Sequence, residues 1–216
     1  YGWVADGIFQ SQSEVTSHAF QSSGTAAGDI RFKDLNGDNV IDESDKTFTG
    51  SPIPDFVYGF NLNLEYNNFD FSVQANGSQG NEILNLSTLD LIDNTRSENK
   101  MNFTPWSSSN TDSKWPRAHS QDPNFNTRPS SYFVEDGSYL RIKVIQLGYT
   151  FTSDMLGLNM SGLRIYGSIQ NPITITKYSG VDPEVGNADG NNLISGIDHF
   201  VYPISRMFSV GINYSF

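Results

Sequence analysis

Hydrophobic and polar side chains alternate along the last stretch of this chain, residues 205–216. One set of alternate positions is apolar throughout: Phe208, Val210, Ile212, Tyr214 and Phe216. The other set is mostly small or polar: Met207, Ser209, Gly211, Asn213 and Ser215. Because successive side chains of a strand point to opposite sides of a sheet, the pattern predicts a strand with one apolar face. A soluble sandwich turns such a face inward, whereas an outer-membrane barrel turns it toward lipid, and the terminal aromatic residue favours the barrel.

The same period of two predicts four earlier strands, at about residues 55–66, 69–79, 138–151 and 162–170. Asn67 and Asn68 separate the first two as a tight turn, since asparagine tolerates the positive φ that short hairpins need. In the third strand, Arg141 and Lys143 fall on the apolar parity. We therefore expect a β-bulge there, or a position above the hydrocarbon.

The connections between these strands alternate in length. Residues 1–54, 80–137 and 171–204 are long segments, whereas the Asn67-Asn68 turn and residues 152–161 are short. Bacterial outer-membrane barrels have short periplasmic turns and longer extracellular loops. The pattern therefore predicts a periplasmic C-terminus and extracellular positions for the three long segments.

The predicted fold class is all-β, an antiparallel transmembrane β-barrel segment spanning residues 55–216 and preceded by a loop segment, residues 1–54. Five strands cannot close a membrane barrel, which needs about eight, so the chain is expected to be one piece of a larger barrel beside the remaining strands and outer-membrane lipid. A secreted, calcium-stabilised β-sandwich that binds carbohydrate stays open as the alternative, because alternating strands of this length also build soluble sandwiches.

The composition excludes some classes of partner but says less about the fold. The formal net charge of −11 argues against nucleic acid and suits bound cations. No apolar run approaches the roughly 18 residues of a spanning helix, and no cysteine is present to form a disulfide. The first residues, Tyr1-Gly2-Trp3, carry neither the basic segment nor the apolar core of a signal peptide, so the chain is either cytosolic or has lost its beginning.

Residues 34–45 have the spacing of a calcium-binding loop. Oxygen-bearing side chains stand at positions 1, 3, 5, 9 and 12 of this stretch, and a backbone carbonyl is expected to serve at position 7. The predicted ligands of a structural Ca²⁺ ion are Asp34, Asn36, Asp38, Val40, Asp42 and Asp45. The stretch departs from the usual pattern at position 6, where Asn39 replaces glycine, and at position 12, where Asp45 replaces glutamate.

The sequence offers no catalytic motif of the common hydrolase, nucleotide-binding or zinc-protease types, and the chain is therefore not expected to be an enzyme. Two carboxylate pairs, Glu135/Asp136 and Asp182/Glu184, could in principle serve as the acid and base of a glycosidase. Each pair lies in a loop next to a strand end, and hydrogen bonding within the loop is the expected role. Aromatic residues in the long segments are candidates for contact with a substrate or partner, or for packing of the loops themselves: Trp106, Trp115, Tyr132, Tyr178 and Tyr202.

Four segments together resemble the C-terminal portion of SusC/RagA-type TonB-dependent outer-membrane transporters of Bacteroidetes. They are residues 6–12 (DGIFQSQ), residues 28–38 (GDIRFKDLNGD) with the acidic positions that follow, residues 132–149 (YFVEDGSYLRIKVIQLGY), and residues 170–172 (QNP) with 177–184 (KYSGVDPE). The resemblance runs from one end of the chain to the other.

The resemblance implies a receptor with a 22-strand barrel, of which these would be the last five strands, closed by a plug. It implies a SusD-type surface lipoprotein as a lid, glycan uptake or peptide uptake as the function, and energy from the TonB system acting through the plug. The plug and the TonB-contact segment lie outside this chain, so these 216 residues alone are not expected to transport.

Overall fold

A computed structural model describes residues 1–92, 104–156, 162–186 and 195–215. The chain divides into two compact units. The loop unit contains Tyr1–Pro52, Glu82–Glu135 and Val185–Phe200, and the sheet unit contains Ile53–Asn81, Asp136–Glu184 and Val201–Phe216. Within the described ranges, no helix has the length and apolar character needed to cross a membrane.

Ten strands are described, and most of the longer ones lie in the second unit. In chain order they are β1 (Ala5–Ile8), β2 (Ile30–Phe32), β3 (Phe56–Tyr66), β4 (Phe69–Gln79), β5 (Glu82–Asn85), β6 (Val134–Asp136), β7 (Tyr139–Phe151), β8 (Gly162–Thr176), β9 (Ile197–Asp198) and β10 (Met207–Ser215). Three short helices are α1 (Gln12–Ser17), α2 (Leu86–Ile92) and α3 (Ser153–Leu156), and single 3₁₀ turns lie at Glu43–Asp45 and Ser131–Phe133.

The sheet unit is built on five antiparallel strands in the order β10-β8-β7-β4-β3. Its hydrogen-bonding register places residues of the five strands opposite one another in rows that cross the sheet. One row on the first face is apolar throughout: Leu62, Val73, Ile145, Ile169 and Phe208. The neighbouring row on the opposite face is polar throughout: Asn63, Ser72, Gln146, Ser168 and Ser209. The sheet therefore has one apolar and one polar face.

The apolar face of this sheet is exposed. Phe60, Leu147 and Tyr214 are 56%, 53% and 51% exposed, and Val210 in β10 is 83% exposed. A soluble sandwich would bury these side chains against a second sheet, because the inner faces of its two sheets interdigitate. The exposed apolar face does not favour the sandwich alternative.

A register change in β7 moves Arg141 to the polar face. Val144 pairs with Gln74 of β4, but Ile142 pairs with the next residue, Ala75, so that Lys143 is passed over in the ladder. An extra residue in one strand moves the side chain at every position beyond it to the opposite face of the sheet. Arg141 consequently stands opposite Asn76, whose neighbours on the same side are polar. The irregularity lies at the position where the sequence predicted either a bulge or a site above the hydrocarbon.

Glycine at position 148 makes room for an ion pair on the polar face. Arg164 of β8 donates to both carboxylate oxygens of Asp70 in β4, at 2.8 and 2.5 Å, across the intervening strand β7. A Cβ atom on Gly148 would lie 2.3 Å from Asp70 Oδ1 and 2.7 Å from Arg164 Nη2. No real Cβ approaches atoms this closely, so any larger residue at this position would displace the pair.

The long segments that the sequence assigned to loops contribute to a folded unit with its own core. Strands β1 and β2 pair antiparallel, and Ile30, Phe32 and Ile41 form a buried cluster. A second small sheet has the order β6-β5-β9, in which β5 and β9 run parallel. These strands are two to four residues long. Such lengths are too short to produce a readable alternation.

Buried polar side chains stabilise the loop unit beside this core. Asp29 is fully buried and accepts two hydrogen bonds from Arg117, at 2.7 and 2.9 Å, and one from Asn126 Nδ2 at 3.0 Å. Asn126 in turn accepts the backbone N–H of Ile30 at 2.9 Å, and Gln21 accepts that of Phe32 at 2.7 Å. Side chains therefore satisfy backbone groups that no neighbouring strand reaches, as buried N–H groups require.

The substitution Asp29→Asn tests this network. Removing one partner of a buried ion pair leaves the other uncompensated, and we expect a loss of about 3 kcal/mol in the local stability of the loop unit. The measurement is hydrogen exchange at the Ile30 amide, which should become faster. Asp6→Asn is the control, because the Asp6 carboxylate is partly exposed and lies 3.5 Å from Arg31. This variant should cost less than about 1 kcal/mol. Equal exchange at Ile30 in both variants would contradict the assigned role.

Candidate functional site

The loop at residues 34–45 is organised by hydrogen bonds from its own backbone. Asp34 accepts the N–H groups of Gly37 at 2.7 Å and Asn39 at 2.8 Å. Asp45, which is fully buried, accepts those of Leu35 at 2.7 Å and Asp42 at 2.9 Å. Asn39 has a φ of 67°, the left-handed conformation that its position in a calcium-type loop requires. The chain therefore wraps back on itself over these twelve positions.

The carboxylates of this loop are the right type of ligand for a hard cation, but they are not gathered around a common point. Burial raises the pKa of Asp34, but hydrogen bonds from the backbone N–H groups around it outweigh that effect, and its net pKa is lowered. Asp34 is consequently ionised at neutral pH. Among the described residues, however, no three His, Cys, Asp or Glu side chains are gathered into a group that could hold a metal ion. Calcium binding therefore stays a prediction.

The aromatic candidates do not form one surface. Trp106 and Trp115 are neighbours in a small turn, joined by a backbone hydrogen bond of 3.0 Å, and the Trp106 indole donates to Gln10 at 2.9 Å. Tyr132 donates its hydroxyl to the carbonyl of Lys114, and burial raises its pKa. Tyr178 is buried, whereas Tyr202 is 89% exposed. Of these five residues, Tyr202 offers the most accessible ring for contact with a substrate or partner.

Charged residues meet at one end of the polar face in a cluster that the sequence did not predict. Arg141 donates to Asp182 at 2.5 Å and to Glu184 at 2.6 Å. Lys143 also donates to Glu184, at 2.7 Å. Arg141 and Asp182 are 3% and 4% exposed, so the central pair is buried. The cluster therefore fixes the segment after β8 against the side of the sheet that carries polar rows.

Asp182 also organises the chain before β10. Its Oδ2 accepts the backbone N–H of Ile204 at 3.1 Å, and its Oδ1 accepts that of Glu184 at 2.9 Å. Burial raises the pKa of Asp182, but the hydrogen bond from Arg141 and those from the two backbone amides outweigh it, and the net pKa is lowered. One ionised carboxylate thus joins β7, the segment after β8 and the segment that leads into β10.

A sequence signal for the cluster exists, although our prediction did not use it. Arg141 and Lys143 are two residues apart, as are Asp182 and Glu184. Two pairs of opposite charge with equal spacing can meet when a loop folds over a strand. The two members of the other acidic pair have different partners. Glu135 accepts a hydrogen bond from Asn85 Nδ2 at 2.9 Å, and Asp136 accepts one from the backbone N–H of Ser138 at 2.9 Å.

The variants Arg141→Gln and Lys143→Gln separate the buried pair from its exposed neighbour. Arg141→Gln leaves Asp182 buried without its partner, and we expect the segment around Ile204 to lose about 3 kcal/mol of stability. Lys143, whose side chain is 30% exposed, should contribute less than about 1 kcal/mol. Hydrogen exchange at the Ile204 amide measures both effects. Similar exchange in the two variants would contradict the central role of Arg141.

Hydrogen exchange at the Ile204 amide should also report a loss of local stability in acid. Because the pKa of Asp182 is lower in the folded chain than its ordinary value of 3.8, its contribution to stability is present above that value. The contribution is lost as the pH falls through the lowered folded pKa. Exchange at Ile204, corrected for intrinsic rates, should accelerate only below about pH 4, and acceleration between pH 5 and 7 would contradict this assignment.

Comparisons with known proteins agree with the resemblance found in the sequence. No family model matches the chain. The chain is 34% identical to TonB-dependent receptor P3 of Formosa agariphila over 100% of its own length and 22% of the receptor. It is 31% identical to TonB-dependent receptor SusC of Bacteroides thetaiotaomicron over 86% of its own length and 17% of the receptor.

A solved structure of the RagAB peptide transporter has the same fold over the whole chain. The match has a TM-score of 0.74 at 21% identity and covers 22% of the RagAB chain. The chain thus spans about a fifth of the length of the receptors that it matches. The resemblance predicted from the sequence is confirmed, since the chain is similar to part of TonB-dependent receptors of the SusC type and has the fold of the matching part of RagAB.

Proposed function

We propose that this chain is the C-terminal portion of an outer-membrane importer driven by the TonB system, and that it takes up oligosaccharides or peptides. Its five long strands would be the last of a 22-strand barrel, with the plug and the other strands supplied by the rest of the receptor. A SusD-type surface lipoprotein would cover the loops as a lid. The relatives are named as receptors and, for RagAB, as a peptide importer, which supports transport over catalysis.

The exposed apolar face of the five-stranded sheet carries this proposal. Strand β3 contains 11 residues, about 36 Å at roughly 3.3 Å per residue, and a tilt of about 45° reduces this to about 25 Å. That height matches the apolar band of a membrane barrel. The face is unbroken across the sheet, and the opposite face carries the polar rows that a barrel lumen needs.

The proposed orientation follows from the two ends of the sheet. The Asn67-Asn68 turn between β3 and β4 would lie in the periplasm with the C-terminus. The long connections, residues 1–54, 80–137 and 171–204, join the strands at their other ends and would be extracellular. In that position they would border the substrate path and the lid, with Tyr202 and the polar rows on the side of the ligand.

Adjacent substitutions on β10 test the membrane assignment. Val210→Arg places a charge on the apolar face and should cost about 2–4 kcal/mol at the bilayer midplane, so that little folded receptor reaches the outer membrane. Ser209→Arg, one residue away on the polar face, should be tolerated. Heat-modifiable electrophoretic mobility of the intact receptor in outer-membrane fractions measures both. Equal assembly of the two variants, or a Val210→Arg receptor that stays folded without detergent, would sink the membrane proposal.

Transport itself is tested by uptake. Cells that lack the intact receptor should lose growth on one nutrient class, oligosaccharides or peptides, and regain it when the gene is restored. Removing the TonB protein should give the same loss, because the plug can be moved only through it. Unchanged growth on every such nutrient would count against an importer.

We also propose that the loop at residues 34–45 binds Ca²⁺ and that the ion is structural. Support comes from the spacing of its oxygen-bearing side chains and from the left-handed Asn39. The amide hydrogen bonds do not use all of the acceptor capacity of the carboxylates, since an ionised carboxylate has about four lone-pair positions. Binding would require the carboxylates to move closer together around the ion.

Limited proteolysis of the intact receptor tests the calcium proposal. Lys33 and Lys46 flank the loop, and Ca²⁺ at about 1 mM, a working concentration for extracellular calcium modules, should slow tryptic cleavage at both. Chelation should restore cleavage and leave the barrel strands intact. Asp34→Asn should abolish the calcium effect, while Asp6→Asn should keep it. Equal rates of cleavage of the unaltered receptor with and without calcium would refute the proposal.

A further inference from the structure

A cleft of about 370 Å³ lies within the sheet unit, beside the charged cluster. Three strand residues line it: Arg141 of β7, and Thr174 and Thr176 of β8. The other lining residues belong to the segments that flank the strands: Asn171, Pro172, Gly180, Val181, Asp182, Pro183, Pro203, Ile204 and Arg206. Its volume lies within the range of small-molecule sites, about 300–1,000 Å³.

Most polar groups of the cleft have partners inside the chain. Arg141 donates to Thr174, Asp182 and Glu184. Thr176 donates to the carbonyl of Ser138 at 2.9 Å and accepts the N–H of Tyr178 at 3.0 Å. These groups hold the walls in place and have little capacity left for a ligand.

Arg206 differs from them. It is exposed, and its Nη2 donates to the carbonyl of Pro172 at 2.8 Å. In the part of the chain that the structure describes, Arg206 forms no ion pair with a carboxylate. A guanidinium has five N–H donors in a rigid fork, so the bond to Pro172 holds the side chain while most donors stay free.

Among the described residues, the charges around the cleft leave one cation uncompensated. Arg141 and Lys143 are paired with Asp182 and Glu184, so Arg206 is the surplus. A local positive charge in a chain of net charge −11 would attract a small anion against the general field of the protein. A guanidinium fork matches the two oxygens of a carboxylate.

The remaining lining favours an aliphatic neighbour for that carboxylate. Pro172, Pro183 and Pro203 line the cleft together with Val181 and Ile204, which are 68% and 47% exposed. None of the lining residues is aromatic, so a sugar ring would have no flat side chain on which to stack. Rigid prolines and small aliphatic groups suit a compact branched side chain.

We propose that this cleft binds a carboxylate joined to a compact aliphatic group, as in the C-terminal residue of a peptide, with Arg206 holding the carboxylate. The inference deepens the proposed import function and rests on it for the origin of the ligand. It assigns to this end of the sheet a subsite for the end of a peptide rather than for a neutral glycan.

The test compares two probes on the intact receptor in detergent. N-acetyl-leucine carries the carboxylate, and its carboxamide has the same shape without the charge. Saturation-transfer NMR should show binding of the acid, and the carboxamide should bind at least about tenfold more weakly, as expected for the loss of a charge-assisted hydrogen bond. Equal binding of the two probes, or no binding of the acid, would overturn the proposal without any need for a variant.

Variants then locate the site. Arg206→Gln should weaken binding of the acid by about tenfold, while Arg206→Lys should retain part of it because the charge remains. Lys33→Gln removes an exposed cation of the loop unit and should have no effect. If the Arg206→Gln receptor binds N-acetyl-leucine as well as the unaltered receptor does, the assignment is overturned. Tighter binding of galacturonate, an acidic sugar, in competition with N-acetyl-leucine also overturns it. Because binding is measured at equilibrium, a failure of transport leaves this result readable.

Discussion

The hydrogen-bonding register of the five-stranded sheet is the constraint on which the rest of the structure depends. Each strand alternates its side chains, and each pairing passes that alternation to the next strand, so that rows such as Leu62 to Phe208 and Asn63 to Ser209 keep one character from β3 to β10. A slip of one residue anywhere would place phenylalanine and leucine among asparagine and serine. The register shifts at Lys143 in β7 and at Asn171-Pro172 in β8, and the shift in β7 brings Arg141 to the side where its carboxylate partners lie.

The two units are stabilised by different means. In the sheet unit, main-chain ladders satisfy the backbone, and the apolar side chains stay outside. In the loop unit the strands are too short to do this, and side chains such as Asp29, Gln21 and Asn126 take over the bonding of backbone groups. A small apolar cluster and a buried polar network together allow long connections to hold a defined shape, which long segments without secondary structure rarely do.

Sequence reasoning succeeded where the signal is local. Alternation placed the hairpin around Asn67-Asn68 and the β10 strand, and the charged residues on the wrong parity marked the irregularity near Lys143. It did not extend the fourth strand, predicted to end at residue 170, to Thr176, because Asn171-Pro172 interrupts the pattern. It also missed the pairing of Arg141 with Asp182, 41 residues away, since nothing in a single sequence fixes which distant loop returns to a strand. Tyr178 and Tyr202 lie in one predicted loop, yet one is buried and the other is exposed, a difference that depends on packing alone.

Gly148 links three positions that are far apart in the chain. The ion pair between Asp70 and Arg164 crosses directly over it, and a single added carbon atom would collide with both partners. The three positions are therefore coupled, because a side chain gained at position 148 requires the ends of Asp70 and Arg164 to move out of their present bidentate contact.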